Sequence, residues 1–332
     1  MFTHPLTKQL DTWWAEHAQQ PGDPEWTLFM QEYEVLNAEK DAELLAPHLN
    51  EGGDGVRRFG MSGAGSCTRK AGLKLLGHKG EPFDAGTLWT FFLGHKLEPM
   101  GIALLRVNGL IVTGSQEPAR IDPFMASFAD GIIHAFSDGE DAVLSIKTTG
   151  YKGSSMRRNP KTGEPTWSRR GFSQLPFDGV RVSNPSWWVQ VQAEMYALGV
   201  GHALVLVMAK DMVAIMKDDP YLESLAFYCE TIPYDQRFCE GVLLPTWQRQ
   251  WESVQAGNAG SAAVFSGLTG QYVNIPAPAL AGKERPHPNV NPGVGLVFNH
   301  CENSYCEYNA VCARELAREY QQPRRAAPAL AG

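Results

Sequence analysis

The sequence predicts an α/β fold: a mixed central sheet flanked by helices, with an N-terminal helical extension and a C-terminal cysteine cluster. Three observations carry that expectation. Apolar residues recur with helical spacing across 6–50 and again through TLWTFFLGHKLEPMGIALLRVNG, residues 87–109. Runs of β-branched and apolar residues, broken by turn residues, fill 110–149 and 203–232. A strong helical pattern, PSWWVQVQAEMYALG, separates the two strand-rich regions. With 332 residues, 43% hydrophobic and 20% charged, the chain has material for one large or two small domains at ~150 residues each, and global disorder is excluded.

In chain order, LTKQLDTWWAEHAQQ and DPEWTLFMQEYEVLNAEKDAELLAPHL read as two helices, the second with Asp23 as N-cap and Pro24 at its first position. NEGGDG is a turn. GMSGAGSCTRKAGLKLLG begins as a Gly/Ser stretch and becomes a short helix carrying Cys67. The 87–109 stretch reads as a long, mostly buried helix ending at Asn108-Gly109. LIVTGSQ, FMASFADGIIHAF and DAVLSIKTTG are strands, with a turn at Ser137-Asp138-Gly139. Residues 150–183, rich in Gly, Pro, Ser and Arg, read as a long loop or flap. ALVLVMA and MVAIMK pair as a hairpin around Lys210-Asp211, LAFYCETI adds a strand, and YDQRFCEGVLLPTWQRQWESVQAG is a helix interrupted near Pro245. The boundaries follow: an extension at 1–58, a core at 59–256, a Gly/Ala/Pro-rich linker at 257–300 and a cysteine tail at 301–332 that includes a short helix, VCARELAREYQ.

No apolar run reaches the ~18–20 residues of a membrane span. The start, MFTHPLTKQLDTWW, lacks a basic segment followed by an apolar one, so a cytoplasmic setting is expected. The formal charge of −7 argues against a wholly basic nucleic-acid coat, but the charge is uneven. Residues 147–181 hold eight of the basic residues against Glu164 and Asp178, leaving the rest of the chain at −13. A basic island on an acidic body suits phosphate binding at one place; a solvated loop is the plain alternative. Three of the six cysteines crowd into CENSYCEYNAVC, a C-x4-C-x5-C spacing that suits an iron–sulfur cluster or zinc, with a fourth ligand from elsewhere. Cys229 and Cys239 read as buried thiols.

Chemistry concentrates in an ordered set of short motifs. His95 and Glu98 are i and i+3 in GHKLE, so both can leave one helical face. Asp130 precedes Gly131. Lys147 ends a strand in SIK. Gln192 and Tyr196 are i and i+4 in QAEMY. Each alone has an ordinary structural explanation; their order and separation do not.

GHKLE, Asp130-Gly131, SIK and QAEMY together resemble the PD-(D/E)XK nuclease superfamily, in its RecB-like branch with an iron–sulfur cluster, similar to AddB-type and CRISPR-adaptation-type exonucleases. Cys67 before the core and Cys301, Cys306 and Cys312 after it extend the likeness over roughly residues 60–315. The resemblance implies a restriction-endonuclease-like core and a Mg²⁺- or Mn²⁺-dependent DNA nuclease, exonucleolytic on ends or single strands. It implies His95 and Asp130 as metal ligands and Lys147, Gln192, Tyr196 and Glu98 as catalytic residues. It further implies a 4Fe–4S cluster on the four cysteines, with zinc as the alternative. The basic loop, with Lys152, Arg157, Arg158, Arg169 and Arg170, would track a DNA strand, and Tyr151, Trp167 and Phe172 would stack on bases. A bacterial or phage-like setting and partners from recombination, replication or CRISPR-type machinery fit the same resemblance.

Two departures stand out. The family's cysteine triplet is usually spaced C-x2-C-x5-C. More important, Ser145 occupies the position where the family has an acid, and a hydroxyl is a poor ligand for a hard cation. The acid has moved, with Glu98 and Glu117 the candidates and Asp141 ~13 Å away along a strand; or the chain carries an inactivating substitution; or it is a degenerate DNA-binding or assembly protein on the same fold. A zinc-stapled scaffold with no nucleic-acid role is a third class.

Overall fold

The computed structural model describes residues 4–45, 57–113, 117–150, 156–158, 165–167, 172, 175–210, 226–274 and 312. The elements are α1 (Pro5–His17), α2 (Pro24–Leu45), β1 (Phe59–Gly60), α3 (Thr68–Leu75), α4 (Ala85–Val107), β2 (Ile111–Thr113), β3 (Glu117–Ile121), β4 (Met125–Ala129), β5 (Gly131–Ser137) and β6 (Glu140–Thr149). They continue with β7 (Met156–Arg158), β8 (Pro165–Trp167), α5 (Leu175–Ser183), α6 (Pro185–Leu198), β9 (His202–Ala209), β10 (Phe227–Pro233), α7 (Gln236–Phe238), α8 (Leu244–Gln255), β11 (Ala263–Ser266) and β12 (Gln271–Asn274). No helix among the described residues is long and apolar enough to cross a membrane.

The main sheet runs β10-β9-β6-β5-β2. It is mixed: β6 and β9 are parallel, while β10–β9, β5–β6 and β2–β5 are antiparallel. α6 lies between β6 and β9 in sequence, as a parallel pair requires. A smaller sheet, β1-β4-β3, abuts it.

Helices cover both faces of the main sheet, and β6 is buried on both from Ala142 to Ile146. Val143 faces a core with Val189, Val191, Ala193 and Met195 of α6. Leu144 and Ile146 face a core with Ile102, Leu104 and Leu105 of α4. A strand buried on both faces loses the polar/apolar alternation of a surface strand. By the two-residue period, Ser145 and Lys147 share Val143's side, toward α6. Gly101 is required where α4 crosses β6: a Cβ there would stand 3.0 Å from Ile146 Cδ1 and 3.3 Å from Leu206 Cδ2.

The N-terminal helices share the α4-side core through Leu6, Leu10, Trp13, Phe29 and Leu36. α1 also docks on the edge strand: Asp11 accepts from Ala226 N at 2.8 Å and Thr7 Oγ1 from Cys229 N at 2.9 Å. Asp23 caps α2 as expected, accepting from Glu25 N and Trp26 N.

Several local expectations change. FMASFADGIIHAF is two strands in two sheets, with Asp130 at the switch. Glu117–Ile121 is an unanticipated strand, tolerated despite Pro118 because it lies at the edge of the small sheet. The 150–183 stretch is not all loop: it contains the β7–β8 pair and α5. β9 is paired on its two edges with β6 and β10, and MVAIMK lies outside the described residues. The start of the expected linker forms the β11–β12 hairpin. Pro245 sits in the first turn of α8 after a π-helical turn over Cys239–Leu243, which accommodates its missing N–H. Finally, α4 is buried only in its second half; Leu88, Trp89, Phe91 and Phe92 are exposed. The NEGGDG turn and the helix VCARELAREYQ, Cys312 apart, lie outside the described residues.

Candidate active site

Asp130 gets its position from the break between sheets. β5 starts at Gly131, opposite Leu144, so the ladder has no β5 backbone acceptor two residues further along β6. Asp130 Oδ2 takes that place, accepting from Ile146 N at 2.6 Å. The carboxylate is thereby fixed one residue from Lys147, whose Nζ lies 3.8 Å from the same oxygen; the two side chains are only 14% and 15% exposed.

Two further acids act on this pair. Glu98 projects from α4, largely buried, and its Oε1 meets Lys40 Nζ of α2 at 2.7 Å. Burial pushes its carboxyl above the usual range, the Asp130 charge adds to that, and Lys40 and Lys147 oppose it. Glu194 projects from α6 and is fully buried. Ser127 Oγ donates to its Oε1 at 3.1 Å and Gln190 Nε2 at 2.9 Å, while Oε2 has no partner among the described residues. Burial raises Glu194 to about 7; Lys147 is the largest opposing influence, and Asp130 repels it. Three carboxyls and two ammonium groups therefore share one electrostatic neighbourhood at the end of β6.

Ser145 sits in the core at 1% exposure with no hydrogen-bond partner for Oγ among the described residues. Its side of β6 is the side α6 covers. Glu194, on the helix that covers this side, is in electrostatic reach of Lys147 and Asp130.

Sequence reasoning misses Glu194, although it lies inside QAEMY. On a helix, two residues are a rotation of about 200°, so Gln190 and Glu194 form one face and Gln192 and Tyr196 nearly the opposite one. Gln192 Nε2 donates to Pro233 O and its Oε1 accepts from Asp235 N, both at 2.8 Å. This amide ties α6 to the turn after β10. Tyr196 is 37% exposed. Lys40, 58 residues before Glu98, belongs to no motif and carries no sequence signal.

His95 lies half-buried on α4, one turn before Glu98. Among the described residues no three His, Cys, Asp or Glu side chains stand together as a ligand set. The side chain of Glu117, and those of Arg157 and Arg158 on β7, are outside the description, as are Tyr151, Lys152, Arg169, Arg170, Cys301 and Cys306 in full and the side chain of Trp167; Phe172 is buried. Asp141 pairs with His134 at 2.9 Å on the β5–β6 hairpin instead of approaching Lys147. Cys67 caps α3 and is buried, as is Cys312. Burial pushes Cys229 and Cys239 up to about 12, in keeping with inert core thiols.

No family model matches the chain and no curated protein does. Among solved structures, the chain is similar to an alkaline exonuclease from Laribacter hongkongensis, at 14% identity and a TM-score of 0.39 over 60% of this chain and 89% of that one. The same enzyme in complex with dAMP gives 14% and 0.36 over 60% and 87%. SSO0001 gives 16% and 0.32 over 67% and 85%. At these scores the likeness assigns no activity.

Proposed function

We propose that the chain is a metal-dependent DNA nuclease, acting exonucleolytically on ends or single strands, with Glu194 as the acid that position 145 lacks. The observation that carries this reading is a fully buried carboxyl with an unpartnered oxygen beside the Asp130–Lys147 pair. A buried acceptor left unmatched costs about 1–3 kcal/mol, more if charged, and a divalent cation would offset that cost. Asp130 and Glu194 offer hard carboxylate oxygens and His95 an imidazole nitrogen, a set that fits Mn²⁺ or Mg²⁺.

Asp130 and Glu194 would hold the ion, with His95 and Glu98 on the α4 side. A divalent ion held there would supply an activated water and offset negative charge on the reacting phosphate. Lys147 orients the attacking water and faces the negative charge that develops on the phosphate oxygens. Lys40 holds Glu98 in place. Because Glu194 binds a cation only when ionised, affinity for the metal should rise with pH up to about 7 and level off above it. The direct test is end-labelled linear DNA with Mn²⁺: cleavage by the parent and none by Lys147→Ala supports the enzyme. Metal-independent binding without cleavage supports the degenerate reading, which Ser145 favours.

The basic island would bind the substrate backbone. Replacing Arg157, Arg158, Arg169 and Arg170 by Gln should weaken DNA binding and lower the slope of log affinity against log salt by roughly 0.7 per lost single-strand contact, or 0.9 for duplex. Unchanged affinity and slope would make the island a solvated loop.

Cys67, Cys301, Cys306 and Cys312 would hold a 4Fe–4S cluster, or zinc. The four-thiol set fits, and the two described members are buried. Such a staple would close a loop of more than 200 residues, so its role is structural. Cys306→Ser should bleach the visible absorbance and lower the melting temperature. A colourless parent containing zinc would identify the alternative metal, and unchanged metal content and melting would remove the staple.

A further inference from the structure

α4 changes character along its length. Its second half, from Ile102 to Leu105, is fully buried beneath the sheet. Its first half carries Leu88 at 54% exposure, Trp89 at 61%, Phe91 at 47% and Phe92 at 45%, with Phe83 at 39% just before it. The spacings 88/91/92 and 89/92 place them on adjoining parts of the helix surface. The rings are ordered: Trp89 and Phe92 stack at 5.5 Å and 28°, and Phe83 meets Phe91 edge-on at 5.2 Å. Lys96 Nζ lies 5.8 Å from the Phe92 ring centre.

We propose that this aromatic face is a stacking platform for unpaired bases of a DNA strand whose backbone enters the Asp130–Lys147 site. The inference rests on the nuclease reading and adds the place on the protein where the substrate's unpaired bases are held. Continuity with the site is the first argument. Gly94 stands where α4 meets the end of β6, with Thr148 Oγ1 3.9 Å from where its Cβ would be. His95 and Glu98 follow on the same helix, so platform and site are successive turns of one rigid element. The second argument is chemical. Four of the five exposed side chains are aromatic, and π-faces accept any base. The third is size. The five exposures amount to on the order of 500 Å² at ~200 Å² per side chain, short of the ~800 Å² per partner of a stable protein interface. A second copy of this chain is therefore the weaker occupant.

The test is fluorescence anisotropy of fluorescein-labelled oligothymidylate and of a blunt duplex, in EDTA so that nothing is cleaved. The proteins are the parent, Trp89→Ser/Phe92→Ser and the conservative Trp89→Phe. Both positions are exposed, and equal melting temperatures verify folding. The double variant should lose at least ~10-fold in oligothymidylate affinity, within the range set by ~1–3 kcal/mol per stacked base. Duplex affinity should be unchanged and Trp89→Phe should remain close to the parent. Equal oligothymidylate affinity for parent and double variant overturns the platform. So does a parent dimer, seen by light scattering, that becomes a monomer in the variant without a change in affinity. Cleavage by the parent with unchanged variant binding sinks the platform alone. Platform-dependent binding without cleavage by the parent sinks the nuclease reading alone.

Discussion

Glu194→Gln is expected to abolish metal-dependent cleavage and, in the same protein, to raise stability above pH 7. The two effects have one cause. Glu194 is held inside the protein as a carboxyl that ionises only at about 7, against 4.5 when unperturbed. Between those values the folded state keeps a proton that the unfolded state has released, so stability falls as pH rises from about 4.5 to 7 and stays low above. At ~1.4 kcal/mol per pH unit, the ionised group destabilises the metal-free protein by up to about 3 kcal/mol at pH 8. Glutamine has similar shape, keeps an acceptor for Ser127 and Gln190, and carries no charge. Metal-free melting followed from pH 4.5 to 8.5 should show a decline in the parent that is smaller in the variant. Cleavage should drop by at least ~10³-fold, about 4 kcal/mol at 1.36 kcal/mol per decade. Parallel melting curves would mean that Glu194 is not the group that titrates there.

Lys147→Met is expected to remove cleavage by ~10²–10⁴-fold, the range for losing a positioned proton-transfer or charge-stabilising group. It should also leave an electrostatic trace. Lys147 is the largest influence opposing the rise of Glu194, and it opposes the rise of Glu98 too. Without it both acids hold their protons to higher pH, so the fall in stability, which still begins near the unperturbed value of 4.5, should extend past pH 7 and become larger. A surface lysine with no tie to the cluster would leave that profile in place, which separates loss of the site from loss of activity by a distant route.

Much of this arrangement is legible in the sequence because it is local. Asp23 before Pro24, the mostly apolar and β-branched DAVLSIKTTG and the Asn108-Gly109 helix end each write their structure into adjacent residues, and each forms as expected. Asp130 and Lys147 are found by motif order, and the structure brings them within 3.8 Å. What is not legible depends on which way a helix is turned. QAEMY offers three polar side chains; rotation about α6, set by packing Val191 and Met195 into the core, selects Glu194 for the site and sends Gln192 to the backbone of Pro233 and Asp235. Lys40 is invisible for a related reason, because only the packing of α2 on α4 brings it to Glu98. The exposed start of α4 escapes notice because hydrophobicity in a helix ordinarily signals burial, and here the aromatic residues face outward.

The central claim is that Glu194 stands in for the acid missing at position 145, and an exchange of the two tests it most directly. Ser145 shares the side of β6 that carries Lys147 and faces α6, so a carboxylate there would approach the same neighbourhood from the strand instead of the helix. Initial rates of Mn²⁺-dependent cleavage of end-labelled linear DNA should be measured at pH 8 for the parent, Ser145→Glu, Glu194→Gln and the double exchange. Glu194→Gln should be inactive, Ser145→Glu should be slowed by an added carboxylate crowding the ion, and the double exchange should regain at least ~10-fold over Glu194→Gln, about 1.4 kcal/mol. Parent-like cleavage by Glu194→Gln would contradict that claim.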